Sequence, residues 1–334
     1  MYKKLNLGII GAGYAAHVRT NAFNMVGTDK IEIKGIFDNN IRNAAEFAGE
    51  LKTRNFKVLD EILSSNEINT IAICVPNKFH YEIALQALEN NKNIICEYPL
   101  VVESYELAEK LVDIAEKKGL FIHVGQTMNF DSDLSLALKY KDSLGKLYMG
   151  YKYMTFGKPG SWFVESGFRD GYEGLGEWYI NNDFTGGWLI ASCYHGIQVL
   201  RKIFGEVTTV SAFDTGDGKA GAGSILLGHE NGASSVIQWG MALSGKTFNI
   251  LIVTGSKGSI EINDGKFDIG STDINKEGII SDTDTFYEDT KLLLRKLDGQ
   301  VDTDYENSDM LKTLRISFAA QEAASKRITI KISF

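Results

Sequence analysis

Residues 5–19 read LNLGIIGAGYAAHVR, and this stretch decides the fold. Leu7, Ile9 and Ile10 make the short apolar run of a strand buried on both faces. Gly11, Gly13 and Ala16 follow at the spacing G-x-G-x-x-[G/A], and the residues beyond them read as helix. Each small residue has a physical task. Gly11 permits the tight turn, Gly13 lets backbone N–H groups approach a pyrophosphate, and Ala16 lets the helix pack close to the strand. The helix N-terminus then offers unpaired donors and a partial positive charge to an anion.

A glycine-rich turn alone is a weak signal, but this one has a downstream partner. The apolar run Ile31-Glu32-Ile33-Lys34-Gly35-Ile36-Phe37 ends in Asp38. An acid at the tip of the second strand is placed to bind both hydroxyls of an adenosine ribose. Together these features predict a dinucleotide site. Asp38 favours NAD(H), because a carboxylate repels a 2′-phosphate, and nearby Arg42 leaves NADP(H) open.

The chain's 334 residues allow two domains, each able to bury a core. Hydrophobic residues make up 44% and charged residues 23%, as in ordinary globular proteins. The net charge of −8 and the lack of a basic stripe argue against a nucleic-acid surface. No apolar run reaches the roughly 18 residues of a membrane span, and the start leads straight into a strand, which speaks against secretion. The three cysteines, Cys74, Cys96 and Cys193, lack C-x-x-C spacing. Cys74 and Cys96 sit in apolar strand patterns and read as buried free thiols, in keeping with a reducing cytoplasm. The five histidines lack metal-ligand spacing, so no metal site is expected.

Residues 1–125 alternate strand and helix patterns, as in a doubly wound parallel sheet, with a short strand expected at Val58–Leu59. Residues 126–334 read as an α+β domain on a large, mostly antiparallel sheet. Strands are expected at Leu147–Phe156, Val207–Asp214, Gly223–Glu230, Ala233–Met241 and Asn249–Thr254, with turns at Asn231-Gly232 and Gly255–Gly258. Helices are expected at Thr285–Leu297 and Ser308–Lys326, placed so that they can pack back on the first domain, before a last strand at Ile328–Ser333.

Two further segments follow strands at their carboxyl ends, where open α/β sheets bind ligands: Cys74-Val75-Pro76-Asn77-Lys78-Phe79-His80 and Cys96-Glu97-Tyr98-Pro99-Leu100. With Gly11–Ala16, with Gly186-Gly187 before a helix carrying His195, and with a late helix over Ala319–Arg327, the chain resembles the glucose–fructose oxidoreductase / inositol dehydrogenase (Gfo/Idh/MocA) family along nearly its whole length. The resemblance implies an NAD(P)-dependent oxidoreductase acting on a sugar-like or cyclic polyol or carbonyl substrate. That substrate would lie between the nicotinamide and the loop and sheet of the second domain. It also implies cofactor contacts from Gly11, Gly13, Tyr14, Ala15, Asp38, Asn39, Val75, Pro76, Asn77, His80, Glu97, Tyr98 and Gln126, with substrate contacts from Tyr98, Asn129, Tyr194 and His195. Relatives associate through the second-domain sheet, so a homodimer or homotetramer is expected.

The departures from the family pattern bear on the chemistry. The family's usual Glu-Lys-Pro is Glu97-Tyr98-Pro99 here, its usual aspartate one helical turn before the histidine is Ala191, and Asn129 stands where many relatives have arginine. The lysine–aspartate pair that assists sugar oxidation is therefore missing. Glu-Tyr-Pro resembles instead the motif of bacterial biliverdin reductases, which makes a linear tetrapyrrole the second candidate substrate. A non-catalytic dinucleotide sensor is a third reading. Tyr98 and His195 are the catalytic candidates. A phenol is a poor base at neutral pH but a competent donor, while a neutral imidazole with an ordinary pKa near 6.5 can take a proton. The pairing favours reduction. For His195 the duller reading is a satisfied structural histidine, and for Tyr98 simple packing under the nicotinamide. Residues 157–183, rich in glycine and aromatic residues including Trp162 and Trp178, read as a substrate-facing loop or as a cover for the second core.

Overall fold

A computed structural model describes residues 4–156, 181–215, 221–241, 248–301 and 303–334. The expectations placed on Trp162, Trp178 and their neighbours at 157–180 lie outside the described residues. The chain divides into two compact units: residues up to Gln126 with Phe286–Leu311, and Thr127–Thr285 with Lys312–Phe334.

The first unit holds a six-stranded sheet in the order β3-β2-β1-β4-β5-β6, with every strand parallel to its neighbour. The strands are β1 (Leu5–Ile10), β2 (Ile31–Phe37), β3 (Arg54–Asn55), β4 (Thr70–Ile73), β5 (Asn93–Glu97) and β6 (Ile122–Gly125). The apolar run of β1 is buried on both faces, between β2 and β4, as its composition requires. Helix α1 (Tyr14–Met25) packs Ala16 and Phe23 into the same core. Asn40 caps α2 (Ile41–Glu50) by accepting from the amides of Arg42 and Asn43.

One expectation fails in this unit. Val58–Leu59 is not a strand; Val58 caps α3 (Leu59–Ser64), and β3 lies a few residues earlier. Ile62 and Leu63 need a helical turn to reach the core, so the apolar Val-Leu pair is drawn into the helix start. Past α3 come α4 (His80–Glu89) and α5 (Tyr105–Lys118), the latter closed by Gly119 in the left-handed region.

The second unit holds nine strands in the order β14-β13-β12-β11-β7-β10-β9-β8-β15, antiparallel except for the β7–β10 pair. They are β7 (Leu147–Phe156), β8 (Val207–Asp214), β9 (Ala222–His229), β10 (Ser234–Met241), β11 (Phe248–Gly255), β12 (Gly258–Asn263), β13 (Lys266–Ser271), β14 (Asn275–Ile279) and β15 (Ile330–Lys331). Strands β12 to β14 escaped the sequence reading although Asp264-Gly265 marks their first hairpin. Both residues have positive φ, +46° and +77°, and Asn263 pairs with Lys266, the geometry that lets a two-residue turn follow strand twist. Helix α6 (Ser132–Tyr140) is capped by Asp131, and α7 (Cys193–Phe204) is buried along almost its whole length on one face of the sheet. Helix α8 (Thr285–Leu297) lies in the first unit apart from its first residue, and α9 (Thr303–Lys326) continues from the first unit into the second. Among the described residues no helix is long and apolar enough to cross a membrane.

Candidate functional site

The turn after β1 is shaped for an anion. Gly11 has φ +102°, its amide donates to the Phe37 carbonyl at 2.8 Å, and a Cβ there would collide with the Cys74 carbonyl oxygen. Only glycine fits. Gly13 is the N-cap of α1 in extended conformation; no side chain caps the helix, and no acidic residue sits in its first turn. The first amides therefore meet no competing carboxylate, which suits a pyrophosphate.

Asp38 Oδ2 accepts from the Ala12 amide at 2.7 Å, and Oδ1 accepts from the Asn40 amide at 2.7 Å. The carboxylate thus fixes the glycine turn to the tip of β2. A carboxylate has about four acceptor positions, so these two bonds leave capacity for a ribose diol. The residues fit a dinucleotide. Arg42, the residue that left NADP open, pairs through Nε with Glu46 at 2.9 Å on the surface.

Val75, Pro76 and Asn77 follow β4, while Glu97 ends β5 and leads into a cis Tyr98–Pro99 bond. Tyr98 is partly exposed, and Gln126, just past β6, is buried. His80, named among the expected cofactor contacts, starts α4 and faces the loops after β4 and β5. It is fully buried, with Nδ1 2.8 Å from the Pro99 carbonyl and Nε2 2.9 Å from the Val75 carbonyl. Both ring nitrogens face loop carbonyls, so His80 joins the segments after β4 and β5. Burial lowers its pKa, against the opposite effect of the two carbonyls. The three cysteines are free and buried, and burial pushes their thiols up, as an inert core role requires.

Beneath the sheet edge runs a chain of charges that the sequence reading passed over. Arg19 on α1, 1% exposed, donates from Nε to Glu97 Oε1 at 2.8 Å and pairs through Nη1 with Asp289. Asp289 Oδ2 lies 3.0 Å from His123 Nε2; His123 Nδ1 lies 3.0 Å from Lys296 Nζ, and Lys296 pairs with Glu306. Burial alone would raise the Asp289 carboxyl, but His123 and Arg19 hold it at about 2. Burial brings Lys296 down to about 8 and lowers His123.

The second unit has its own buried polar group. His195 lies on α7 facing the sheet layer, 9% exposed. Lys152 on β7, with no exposed surface, donates from Nζ to Asn249 Oδ1 at 2.7 Å and stands 3.8 Å from Asp133 Oδ2. Asn249 Nδ2 in turn donates to Asp133 Oδ2 at 2.9 Å. Burial, then the charge of Lys152, pushes His195 down to about 3, against a hydrogen bond with Gln198. Burial also lowers Lys152, against Asp131 and Asp133. Burial and the charge of Lys152 both favour the neutral imidazole at His195. Asn129 Oδ1 is buried without a hydrogen-bond partner among the described residues. Tyr194, expected as a substrate contact, is fully buried in the core beside His195.

Removing the cation tests this electrostatic picture. In Lys152→Met the His195 pKa is expected to rise, with burial still holding it below the ordinary value. An NMR titration of the imidazole nitrogens measures it, and an unchanged value contradicts the coupling.

Some of this was visible in the sequence. Arg19 falls on the buried stripe of α1 at the helical spacing from Ala16 and Phe23, and Lys152 sits between the outward Tyr151 and Tyr153, where an apolar inward residue is the rule. A charge on an apolar stripe was the available signal.

Comparison with known proteins gives a consistent family. The description "Oxidoreductase family, NAD-binding Rossmann fold" matches residues 5–126, and "GFO/IDH/MocA C-terminal domain" matches residues 155–261. The 2,7-anhydro-N-acetylneuraminate hydratase of Escherichia coli is 26% identical over 78% of this chain and 68% of its own length. Two further curated relatives align over 32% and 39% of theirs. Among solved structures, the biliverdin reductase of Synechocystis sp., in complex with biliverdin and NADP+, superposes with a TM-score of 0.83 at 20% identity, covering 96% of this chain and 99% of that one. A levoglucosan dehydrogenase with NADH and L-sorbose gives 0.83 at 19% identity, covering 99% and 100%. At such identity these two likenesses concern the fold alone.

Proposed function

Because the chain belongs to the Gfo/Idh/MocA family of oxidoreductases with an NAD-binding Rossmann fold, we propose that it transfers a hydride between a nicotinamide dinucleotide and a sugar-like substrate, a cyclic polyol or its carbonyl form. The observation that carries the reading is the polar side chains of His195, Gln198, Lys152, Asp133 and Asn249 gathered in the second unit, all buried except the half-buried Asn249. Buried polar groups cost free energy unless partnered, and such a concentration suits a ligand with many hydroxyls. The dinucleotide, when bound, supplies the donor or acceptor of the hydride.

The chain's residues handle the proton. Burial, and after it the charge of Lys152, keep the imidazole of His195 neutral, so it does not hold the proton itself. With Lys152 charged, His195 is a neutral hydrogen-bonding group towards a substrate oxygen, and Tyr98 is a phenol donor. Both roles suit reduction of a carbonyl better than oxidation of an alcohol. NAD(H) is the favoured coenzyme through Asp38, with NADP(H) the alternative. Glu97-Tyr98-Pro99-Leu100 carries the second reading, reduction of a linear tetrapyrrole.

The test is spectrophotometric. NAD+ with a panel of hexoses, inositols and anhydro sugars, and NADH with the matching ketones, should give turnover with at least one cyclic polyol or ketone. Turnover of biliverdin alone would overturn the sugar reading. Tyr98→Phe should lower the hydride-transfer rate at least about 10-fold, in the range of acid–base assistance, and a rate within twofold of the parent would refute its role.

We also propose that copies associate through the outer face of the nine-stranded sheet, where Phe213 and Leu226 are exposed on the neighbouring strands β8 and β9, and Phe248 on β11. Sedimentation should give a dimer or tetramer, and a monomer at micromolar concentration would refute it.

A further inference from the structure

The six-stranded sheet consists of two three-strand halves, β1-β2-β3 and β4-β5-β6, each the framework of one mononucleotide site. Asp38 follows the second strand of the first half. Glu97 ends the second strand of the other half. The two carboxylates occupy equivalent places on either side of the β1–β4 boundary, one on the adenosine side and one on the nicotinamide side. They are held differently. Asp38 is fixed by the backbone amides of Ala12 and Asn40, whereas Glu97 is fixed by a side chain, Arg19.

The Arg19 guanidinium has little freedom. Nε donates to Glu97 Oε1, Nη1 pairs with Asp289, and the plane lies 4.8 Å from the Phe286 ring centre. Its Nη2 edge runs so close to Gly125 on β6 that a Cβ there would collide with it. Burial opposes its charge, but Glu97 and Asp289 raise its pKa, so it stays a cation. A planar fork held on three sides fixes one carboxylate oxygen of Glu97 and leaves Oε2, beside Gly125, as the acceptor.

We propose that Arg19 is a positioning residue for the dinucleotide: through Glu97 it sets the affinity for the ribose of the nicotinamide half, as the backbone does through Asp38 for the adenosine half. This deepens the dinucleotide reading and rests on it. Arg19 touches no part of the ligand. It aims the carboxylate oxygen that does.

Calorimetry with NADH and with ADP, which lacks the second ribose, separates positioning from scaffolding. Arg19→Met and Glu97→Gln should each weaken NADH at least about 10-fold, the loss expected for one charge-assisted hydrogen bond, and leave ADP within about threefold. The double variant should be no weaker than the worse single one, because both act on one contact. Arg19→Lys should restore part of the NADH affinity. Equal weakening of NADH and ADP in Arg19→Met would mark a merely structural arginine and overturn the proposal. Glu97→Gln lies at a partly exposed strand end, so it serves even if Arg19→Met does not fold, and unchanged NADH affinity in it overturns the proposal by itself. Failure of the wild-type protein to bind ADP or NADH would instead sink the dinucleotide reading.

Discussion

Replacing Gly13 with valine is expected to abolish dinucleotide binding, weakening NADH by at least about 100-fold while the first unit stays folded. The backbone at Gly13 is extended, with φ −93° and ψ −169°, a conformation open to any residue. Folding therefore loses only the modest difference between glycine and valine as an N-cap. Binding loses more, because branched methyl groups would stand where the helix amides must approach the pyrophosphate. The neighbouring turn position gives the contrast. Gly11→Ala meets both a positive φ and the Cys74 carbonyl, so it should fail by unfolding rather than by affinity. Circular dichroism alongside calorimetry separates the two, and tight NADH binding by Gly13→Val would refute the assigned cradle.

The second large effect concerns stability. Asp289→Asn should cost about 3 kcal/mol at pH 7 by urea unfolding, because it leaves Arg19 and His123 facing an amide in a dry interior. The pH dependence follows from the same carboxylate. Its pKa is depressed, from an ordinary 3.8 to about 2, so its stabilisation is complete above pH 3.8 and is lost as the pH falls towards 2. A shift of that size corresponds to about 2 kcal/mol. Wild type should therefore lose that amount through the window, and the asparagine variant should lack this share of the acid sensitivity. A cost below about 1 kcal/mol at pH 7 would mean the charges carry little of the fold.

Legibility divided along physical lines. The glycine turn, Asp38 and the alternation of strands and helices were readable because each rests on local rules: a required φ, an acid at a strand tip, a period of 2 or 3.6. Hairpin β12–β13 was equally local, and its Asp264-Gly265 signal was overlooked amid polar residues. Buried charges were harder. Arg19, Asp289 and Lys152 are tolerated only because partners distant in sequence meet them, Glu97 and Asp289 for Arg19, Asn249 and Asp133 for Lys152. No window along the chain contains both members of such a pair. For His195 a neutral imidazole was the expectation, but the downward pull on its pKa was not legible, since it depends on burial and on a cation from another element.

The most direct measurement is isothermal titration of the intact protein with NAD+, NADH, NADP+ and NADPH. The account predicts saturable binding of at least one coenzyme at one site per chain, with the NAD forms tighter. No heat of association with any of the four, at protein concentrations high enough to detect millimolar affinity, would contradict it.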